Sequence, residues 1–447
     1  MKRRAFLGAS AGTAAALSFT GGDVAQGQRS ASVLNSDGRL GGKTLEELRD
    51  RYRYDLFTEY IPFHDKWVVD HEYGGFTLKT GWNGPTLSYE KTSTYEGRGI
   101  WTYSFLYSKV DPNPRHLEAA RKSVEFIMKH KPSGDTLWPS TYSREGKAIS
   151  GPPTPIYPDL FIADGLQEFS KIKGNEQYWD IAKEIMFKCI RIYDRPGYYP
   201  EIGKSELGAD TPLMTGGARI QGHWFVLLWM ATKMLEFRSD PEVEAVAARS
   251  VDAILNRHYN PAFGLNVEIL NHDFSTAPEV IAEYVCTGHS IETLWMVLYE
   301  AVRKRDRALF DLAAERFRRH AEVAWDYVYG GVFYGLRNVD NNVWWTTKYG
   351  WVQMEALIGT LCIIEHTGAQ WAKDYFARLY PWVMAKFPLK QYGYPLWIDS
   401  ADRWVKFDKG DGSRRAENFH HPRQLMLNML AVERMIKRGG KTSGIFT

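Results

Sequence analysis

The stretches WVVDHEYGGFTL, residues 67–78, and WDYVYGGVFYGL, residues 325–336, decide how the fold of this sequence is interpreted. Both contain a tryptophan, an aspartate and a Gly-Gly pair ahead of a phenylalanine. Weak internal similarity of this kind is typical of chains built from repeated helical hairpins. Loops of similar character, HYNPAFGLNVE at 258–268 and QYGYPLWID at 391–399, recur along the chain. The sequence therefore indicates one repeated structural unit.

Amphipathic segments lie between these loops, with apolar residues at positions i, i+3, i+4 and i+7. We predict twelve helices, at residues 43–62, 93–110, 114–130, 155–173, 175–194, 219–237, 240–257, 281–303, 305–324, 348–367, 369–385 and 416–437. Twelve helices in consecutive pairs make six hairpins, and six hairpins can each bury one face by closing into a ring. The predicted fold is therefore all-α, an (α/α)6 barrel of six helical hairpins that spans residues 43–440 as a single catalytic domain.

Two kinds of helical segment alternate along the chain. The segments that begin at 93, 155, 219, 281, 348 and 416 are richer in glycine, aromatic and polar residues that we expect to be buried, whereas segments such as RKSVEFIMK and LAAERFRRHAEV carry solvated charge. We expect the first kind to form the inner ring. The ends of the inner helices would then surround one concave pocket, the default place for a ligand.

The composition is that of a globular protein, with 447 residues, 44% hydrophobic and 24% charged. A net charge of +3 gives no sign of a nucleic-acid partner, which would require a basic face. Aromatic residues make up 14% of the chain. Aromatic rings along a groove suit the apolar faces of sugars, although rings that simply fill a large core explain the content equally well.

The first residues, MKRRAFLGASAGTAAALSFTGG, combine paired arginines with a short, weakly hydrophobic stretch. This pattern is typical of a twin-arginine export signal, which we place at residues 1–26, followed by a flexible segment at 27–42. We therefore expect transient contact with the twin-arginine export machinery and a periplasmic or otherwise exported location. The sequence leaves the oligomeric state open, with a homodimer as one arrangement.

Three cysteines, Cys189, Cys286 and Cys362, are widely spaced among apolar residues. Their spacing and odd number favour buried free thiols over a disulfide framework. The sequence contains no Gly-rich phosphate loop, no GxSxG or HExxH motif and no zinc-site spacing. We therefore expect neither a metal nor a redox cofactor.

The stretch TGHSIETLW, residues 287–295, begins one predicted inner helix with polar residues. Thr287 is a candidate N-cap, which would place His289 and Glu292 in the first turns, near the positive end of the helix dipole. That position lowers the pKa of an imidazole, so we expect His289 to be neutral and able to accept a proton. Alternatively, His289 and Glu292 are ordinary buried polar groups.

A second histidine site lies in ENFHHPRQLMLNML, residues 417–430. Pro422 suits the first turn of a helix, so His420 or His421 lies just before that helix, and Arg423 lies one turn after His420. Two histidines at the mouths of two inner helices can face each other across a pocket. His223, in GARIQGHWFVLLWM, heads another candidate inner helix and is a third candidate.

Two further stretches carry candidate ligand-binding residues. In TSTYEGRGIWTYSF, residues 92–105, Tyr95, Arg98 and Trp101 share one side of a helix, where Arg98 must be paired or touch a ligand. In WWTTKYGWVQMEALIG, residues 344–359, the candidates are Lys348, Trp351, Gln353 and Glu355. The second stretch forms either a Lys348–Glu355 ion pair shielded by Trp351 or a platform for a sugar.

Five motifs in this order resemble the N-acylglucosamine 2-epimerase family, which includes cellobiose 2-epimerases and aldose-ketose isomerases. They are the W-x-x-D-x-x-x-GG-x-F-type loops, RGIWTYS, GHSIETLWMVL, KYGWVQMEALIG and FHHPR. The resemblance runs from about residue 45 to residue 437 and implies an (α/α)6 barrel that acts on the open-chain form of a reducing sugar.

The resemblance implies that His289 and His420 are the general acid and base. One base removes the proton on C2, giving an enediolate, and a proton returned to C2 or to C1 yields the epimer or the ketose. Four positions carry over as substrate-binding residues: Arg98, Glu292, Trp351 and Gln353. The placement of their segments adds Tyr95, Trp101, His223, Glu355 and Arg423. No cofactor is implied, since the aldehyde itself accepts the electron pair.

Two alternatives remain at the level of sequence. Barrels of this class also serve as glycoside hydrolases and polysaccharide lyases, for which the candidate carboxyl groups are Glu292, Glu355, Asp159 and Asp164. A non-catalytic sugar-binding protein is the other, and the presence of both histidines argues against it. The partner that we expect in each case is a small carbohydrate, either an N-acyl hexosamine, a hexose or a disaccharide.

Overall fold

A computed structural model describes residues 31–81, 84–200, 217–389, 396–397 and 413–446. Its helices in chain order are α1 (Leu45–Tyr54), α2 (Ile61–Trp67), α3 (Ser93–Phe105), α4 (Pro114–Met128), α5 (Tyr157–Phe169), α6 (Gln177–Tyr193), α7 (Gln221–Phe237), α8 (Pro241–Asp252), α9 (Glu279–Ala282), α10 (Thr287–Lys304), α11 (Arg307–Val323), α12 (Gly350–Thr367), α13 (Gln370–Lys386) and α14 (His420–Lys437). Three π-helical segments, Asp55–Tyr60, Leu106–Val110 and Ala253–Arg257, join α1 to α2 and extend α3 and α8.

Six helices, α3, α5, α7, α10, α12 and α14, form an inner ring in which each packs against the next. The ring closes between α14 and α3, where Thr102 Oγ1 donates a hydrogen bond of 2.8 Å to the Asn418 carbonyl. The outer helices α4, α6, α8, α11 and α13 each cover the preceding inner helix, and α1 covers α14. The predicted (α/α)6 barrel is confirmed, and the six segments expected in its inner ring lie there.

The distribution of apolar residues explains which helices are inner. The inner helix α12, GWVQMEALIGTLCIIEHT, is buried around almost its whole circumference. The outer helix α11 buries only one stripe, formed by Phe310, Ala313, Phe317, His320 and Ala321. Because inner and outer helices alternate along the chain, the inner helices run in the same direction, and their first turns gather at one end of the barrel.

Short antiparallel strands connect the helices. They are β1 (Lys79–Gly81), β2 (Thr86–Ser88), β3 (Lys91–Thr92), β4 (Thr141–Tyr142), β5 (Arg219–Ile220), β6 (Tyr259–Asn260), β7 (Leu265–Asn266), β8 (Ile269–Leu270), β9 (Val285–Cys286), β10 (Gly335–Asn338), β11 (Val343–Trp345), β12 (Pro388–Leu389), β13 (Leu396–Trp397) and β14 (Ser413–Arg415). Sheets of three strands have the orders β14-β1-β2 and β11-β10-β9. In the second sheet Cys286 pairs with Gly335, which fixes the chain just before α10.

The two similar loops, 67–78 and 325–336, fold alike. In each loop an aspartate accepts hydrogen bonds from two backbone N–H groups of the turn that follows. Each aspartate also pairs with a buried lysine, Asp70 with Lys91 at 3.0 Å and Asp326 with Lys348 at 2.6 Å. The glycines of both Gly-Gly pairs have φ between 75° and 86°, a conformation that favours glycine over residues with a Cβ.

A side chain from the next inner helix completes each loop. Glu96 of α3 accepts a hydrogen bond of 2.9 Å from the Phe76 N–H, and Gln353 of α12 accepts one of 2.8 Å from the Val332 N–H. We name Asp70, Lys91 and Glu96 loop clamp 1, and Asp326, Lys348 and Gln353 loop clamp 2. The internal similarity of the sequence therefore corresponds to a repeated set of contacts.

Several helix boundaries differ from those predicted. Helices α7, α10, α12 and α14 begin two to six residues later than expected, at Gln221, Thr287, Gly350 and His420. Strands β5 and β9 occupy the residues immediately before α7 and α10, because those residues pair with other strands instead of starting the helix. No helix among the described residues is long and apolar enough to cross a membrane.

The expected export signal at residues 1–26 lies outside the described residues. Residues 31–42, expected to be part of a flexible segment, instead pack against the C-terminal part of the chain. Val33 and Leu40 are fully buried, and the Val33 N–H donates a hydrogen bond of 2.9 Å to the Gly440 carbonyl. All three cysteines are buried and free, as predicted.

Candidate functional site

A cavity of about 400 Å³ opens at the end of the barrel where the inner helices begin. Arg98, Glu268, Cys286 and His289 supply its ionisable groups, together with hydroxyls of tyrosine. Its remaining wall is largely aromatic: Tyr95, Tyr157, Phe161, Phe225, Tyr284 and Tyr334. A mostly aromatic wall with a few convergent polar groups is typical of a small-molecule site.

His289 lies in the first turn of α10 and faces this cavity. Its Nδ1 lies 2.9 Å from Oε1 of Glu268, an oxygen that also accepts a hydrogen bond of 3.3 Å from the Gly222 N–H. Burial acts to lower the pKa of His289, but Cys286 and Glu268 raise it well above its usual range. The expectation that the helix dipole keeps the pKa of His289 low is therefore wrong, because the adjacent Cys286 and Glu268 outweigh the partial charge of a helix end.

The remaining predictions for the start of α10 are also corrected. Thr287 does not cap the helix, because it is the first helical residue and its hydroxyl donates a hydrogen bond to the Phe333 carbonyl. Glu292 does not bind His289. Its Oε1 lies 2.5 Å from Nη2 of Arg423 and 4.0 Å from Nδ1 of His420, both on helix α14.

His420 is the first residue of α14, and Glu417 fixes its position. The Glu417 carboxylate accepts hydrogen bonds of 2.9 Å from three successive backbone N–H groups at the start of the helix. Nδ1 of His420 lies 2.8 Å from Oε1 of Glu355. Burial lowers the pKa of His420 to about 3, although Glu292 and Glu417 act to raise it. His420 is therefore neutral near pH 7, and donation from Nδ1 to Glu355 leaves the lone pair on Nε2.

Arg423 holds together the carboxylates behind His420. The guanidinium is fully buried, and its Nη2 lies 2.8 Å from Glu355 and 2.5 Å from Glu292. Burial raises the pKa of both carboxyl groups, and Arg423 opposes that rise. The predicted Lys348–Glu355 ion pair does not form, because Lys348 belongs to loop clamp 2 and Glu355 binds Arg423 and the Trp295 indole N–H.

Trp351 contacts both histidines. Its ring centroid is 5.6 Å from that of His289 and 5.4 Å from that of His420. A Cβ at Gly288 would lie 2.4 Å from the Trp351 ring, so glycine is required where the start of α10 approaches α12. The two predicted catalytic residues therefore contact the same aromatic ring.

Arg98 and Tyr95, both predicted to bind substrate, line the cavity. The guanidinium carbon of Arg98 lies 4.1 Å from the ring centroid of Phe161, and the side chain has no ion pair within the described ranges. Burial lowers the pKa of Arg98, which still leaves a cation near pH 7 because arginine starts far above it. The Tyr95 hydroxyl accepts a hydrogen bond from Arg415. A cation without an ion-pair partner among the described residues thus faces the cavity.

Three predicted substrate-binding residues lie elsewhere. Trp101 is fully buried and stacks on Phe105 at a centroid distance of 5.0 Å. His223 is buried among tyrosines, with Nε2 3.3 Å from the Tyr198 hydroxyl, and burial lowers its pKa to about 3. Gln353 belongs to loop clamp 2. None of the three lines the cavity: Trp101 and His223 are packed in the core, and Gln353 is hydrogen-bonded to the backbone of Val332.

The sequence analysis missed Glu268, Cys286 and Glu417 as site residues. Glu268 lies between β7 and β8, at the end of the quoted loop HYNPAFGLNVE, where a carboxylate between apolar residues was a usable signal. Glu417 is three residues before His420, the spacing of a side chain that caps a helix start. Neither partner of Glu268 is close in sequence, so only the fold reveals that contact.

Two groups of side chains have the composition of metal ligands. In the first, Glu292, Glu355 and His420 lie close together, but the Arg423 guanidinium already supplies the positive charge. The second consists of Glu268, Cys286 and His289 in the cavity wall. The described part of the chain provides no lysine or arginine ion pair to this second group.

The site combines the neutral imidazole of His420, the imidazole of His289 beside the Glu268 carboxylate, and the guanidinium of Arg98. Such groups can take a proton from a bound molecule, deliver one to it and stabilise a negative charge that develops on oxygen. Their chemistry requires a substrate with an acidic C–H or O–H bond next to an oxygen that can accept charge.

The sequence and the structure are both similar to those of known carbohydrate epimerases. The sequence model of the family N-acylglucosamine 2-epimerase matches residues 74–422. N-acylglucosamine 2-epimerase of Mus musculus is 23% identical over 366 residues, which cover 78% of this chain and 84% of the mouse protein. The solved structure of cellobiose 2-epimerase from Bacillus thermoamylovorans is 17% identical, covers 87% of this chain and 100% of its own, and has a TM-score of 0.70.

The solved structure of a D-mannose isomerase is 15% identical, covers 88% of this chain and 97% of its own, and has a TM-score of 0.66. At these identities the structural likeness shows the barrel fold. The family match is independent of that likeness and extends over most of the barrel, from clamp 1 to the start of α14. The chain therefore belongs to the N-acylglucosamine 2-epimerase family of carbohydrate epimerases and isomerases.

Proposed function

We propose that the protein is a sugar 2-epimerase or aldose-ketose isomerase that acts on the open-chain form of a reducing sugar. The observation that carries this proposal is the pair His289 and His420, which both contact Trp351 and are each hydrogen-bonded through Nδ1 to a buried carboxylate. Relatives named for N-acylglucosamine, cellobiose and mannose support a substrate among N-acyl hexosamines, disaccharides and hexoses.

The first step removes a proton from C2, next to the aldehyde. Nε2 of His420 accepts this proton, and the electron pair of the C–H bond moves to form the C1–C2 double bond of an enediolate. The carbonyl electrons move to O1, where the negative charge develops. Arg98, a cation in the cavity wall, stabilises that oxygen, since a positioned cation acts most strongly where water is excluded.

The second step returns a proton. His289, which contacts the same Trp351 ring as His420, donates a proton to the opposite face of C2, and the double-bond electrons form the new C–H bond. The aldehyde is restored with inverted configuration at C2. Delivery to C1 instead, with transfer of the O2 proton to O1, yields the ketose. Solvent then resets the two imidazoles.

Proton NMR in D2O tests this proposal. The purified protein is incubated with glucose, mannose, N-acetylglucosamine, N-acetylmannosamine and cellobiose in turn. We expect deuterium at C2 of at least one sugar, together with a new epimer or ketose. No exchange with any sugar, combined with shortening of a glycan oligomer, would reject the proposal in favour of a hydrolase or lyase.

Two variants locate the chemistry. His289→Asn and His420→Asn should each lower the rate of C2 exchange by about 10²–10⁴-fold, the contribution of one general acid or base. His71→Asn is the matched control, because this imidazole is 61% exposed and does not line the cavity. Exchange that persists in both site variants would refute the assignment.

The hydrolase alternative lacks support from the candidate carboxyl groups. Hydrolysis needs two carboxyl groups about 5–10 Å apart across the substrate. Glu292 and Glu355 instead have oxygens within 4.8 Å of each other and share Arg423. Asp159 is fully buried and pairs with Lys188 at 2.5 Å. Asp164, also buried, binds Gln167.

We also propose that the protein is exported through the twin-arginine pathway, on the basis of residues 1–26 alone. Fractionation of the native host, with an antibody against the barrel, should recover the protein outside the cytoplasm and shortened at its N-terminus. Replacement of Arg3 and Arg4 by lysine should retain the precursor inside the cell. Export of this variant at the wild-type level would contradict the proposal.

A further inference from the structure

We propose that Glu268, Cys286 and His289 form a binding site for a zinc-class divalent cation in the wall of the cavity. The sequence-based expectation was that the protein binds no metal, and this proposal revises it. The inference rests on the proposed function in one respect: because His289 takes part in proton transfer there, the bound cation inhibits turnover.

The three ligand atoms already lie close enough for one cation. One atom from each side chain lies within 4.8 Å of the other two, and Nδ1 of His289 is 2.9 Å from Oε1 of Glu268. In a tetrahedral zinc site with bonds of about 2.0–2.3 Å, ligand atoms are about 3.3–3.8 Å apart. Movements of about 1 Å therefore suffice to enclose the cation.

The ligand types favour zinc over magnesium or calcium. A thiolate, an imidazole and a carboxylate match the nitrogen and sulfur preference of Zn²⁺, whereas magnesium and calcium take oxygen ligands. Three protein ligands beside a cavity also leave the fourth position of a tetrahedral site open to water or a small ligand. Glu268 lies between β7 and β8, Cys286 in β9 and His289 in α10, so no contiguous zinc motif exists to be recognised.

Two of the ligand groups have unused bonding capacity. Glu268 is only 4% exposed and faces the cavity. Its Oε2 is buried without a hydrogen-bond partner within the described ranges. Apart from His289, the Sγ of Cys286 has a single long contact, 4.0 Å to the Tyr334 carbonyl. A buried carboxylate oxygen without a partner is unfavourable, and a cation would satisfy it.

The other acidic group near the cavity provides an internal comparison. Glu292, Glu355 and His420 have a similar spacing, but Arg423 already neutralises them, so a second cation would be repelled. Of the three cysteines, only Cys286 belongs to a group of this kind within the described residues. Cys362 is equally buried and serves as the matched control.

Cobalt replaces zinc in the decisive experiment because a cobalt–thiolate bond absorbs in the near ultraviolet. The purified protein is treated with a chelator, dialysed and titrated with CoCl2, and ZnCl2 is then added to displace the cobalt. The variants are Cys286→Ser, Glu268→Gln and the control Cys362→Ser, with circular dichroism to verify folding. Turnover is measured with and without ZnCl2 and expressed as a ratio for each protein.

We expect thiolate absorption to saturate at one cobalt per chain in the wild type and in Cys362→Ser. Cys286→Ser should lose this absorption and bind Zn²⁺ more than about 100-fold more weakly, a larger effect than the loss of an outer-shell partner. Glu268→Gln should retain the absorption with weaker binding. Zinc should inhibit the wild type and the control, but inhibit folded Cys286→Ser only at correspondingly higher concentrations.

Absence of thiolate absorption in the wild type, or an unchanged spectrum in folded Cys286→Ser, would overturn the proposed site. Zinc that binds at this site but raises turnover would overturn the inhibitory part. The cobalt spectrum requires no sugar. A protein that binds cobalt as expected but converts no sugar would therefore support the metal site while rejecting the proposed function.

Discussion

Replacing Arg423 by glutamine leaves Glu292 and Glu355 buried without their shared cation. Both carboxylates are at most 1% exposed, and Nη2 of Arg423 lies 2.5 Å and 2.8 Å from their oxygens. Removing one partner of a buried ion pair typically destabilises a protein by about 3–5 kcal/mol. We therefore expect Arg423→Gln to lower the free energy of unfolding at pH 7 by about that amount.

The deficit should depend on pH. Without Arg423, burial and mutual repulsion raise the folded-state pKa of the two carboxyl groups further above their unfolded values. A carboxyl group with a raised folded pKa binds a proton more readily in the folded state, so its effect on stability worsens as the pH rises. One additional proton held by the folded variant between pH 7 and pH 5 restores about 2.7 kcal/mol relative to the wild type.

Urea unfolding followed by circular dichroism at pH 7, 6 and 5 measures this difference. The matched control is Arg434→Gln: Arg434 is 45% exposed, and Arg438 keeps its partner Glu365 paired. The control should cost about 1 kcal/mol or less, with little dependence on pH. An equal deficit for Arg423→Gln at pH 5 and pH 7 would refute the reasoning, because it would indicate lost packing instead of uncompensated charge.

Three other outcomes follow from the same structure. Gly222→Ala should slow C2 exchange by about 100-fold while circular dichroism shows an intact fold. The alanine Cβ would lie 2.0 Å from the Tyr157 hydroxyl and displace the site. Exchange at the wild-type rate in this variant would contradict the prediction. Because burial lowers the pKa of His420 to about 3, protonation of this base should not reduce kcat/KM between pH 7 and pH 5. A fall in kcat/KM that is centred near pH 6.5 and disappears only on mutation of His420 would exclude this low pKa. Lys348→Met leaves the buried Asp326 unpaired and should lower the unfolding free energy by about 3–5 kcal/mol in urea titrations, whereas a loss below about 1 kcal/mol would show that the pair is dispensable.

The inner ring could be predicted from sequence because its helices differ in composition from their outer neighbours. A helix such as α12 is apolar around its circumference, and α11 is not. Helix boundaries were less predictable where a strand precedes the helix. The pairing of Cys286 with Gly335 uses backbone groups that periodicity alone assigns to the start of α10.

The resemblance located the two histidines, but their surroundings depended on contacts between distant parts of the chain. His289 and Glu292 were expected on the same face of one helix start, but His289 binds Glu268, 21 residues earlier. Gln353 was assigned to substrate by the resemblance, whereas it binds the backbone of Val332. Sequence spacing indicates which face of a helix a side chain occupies, but it does not show which loop contacts that face.

The two loop clamps differ at one position, which is Glu96 in clamp 1 and Gln353 in clamp 2. They therefore respond differently to acid. Burial raises the pKa of Glu96, in clamp 1, from about 4.5 to about 7, whereas Gln353, in clamp 2, cannot ionise. Folded clamp 1 therefore gains stability as the pH falls from about 7 toward 4.5 and loses it as the pH rises again. Clamp 1 holds α3, which carries Arg98, and clamp 2 holds α12, which carries Trp351. Mild acid consequently stabilises the folded barrel through clamp 1 and has no such effect through Gln353 of clamp 2.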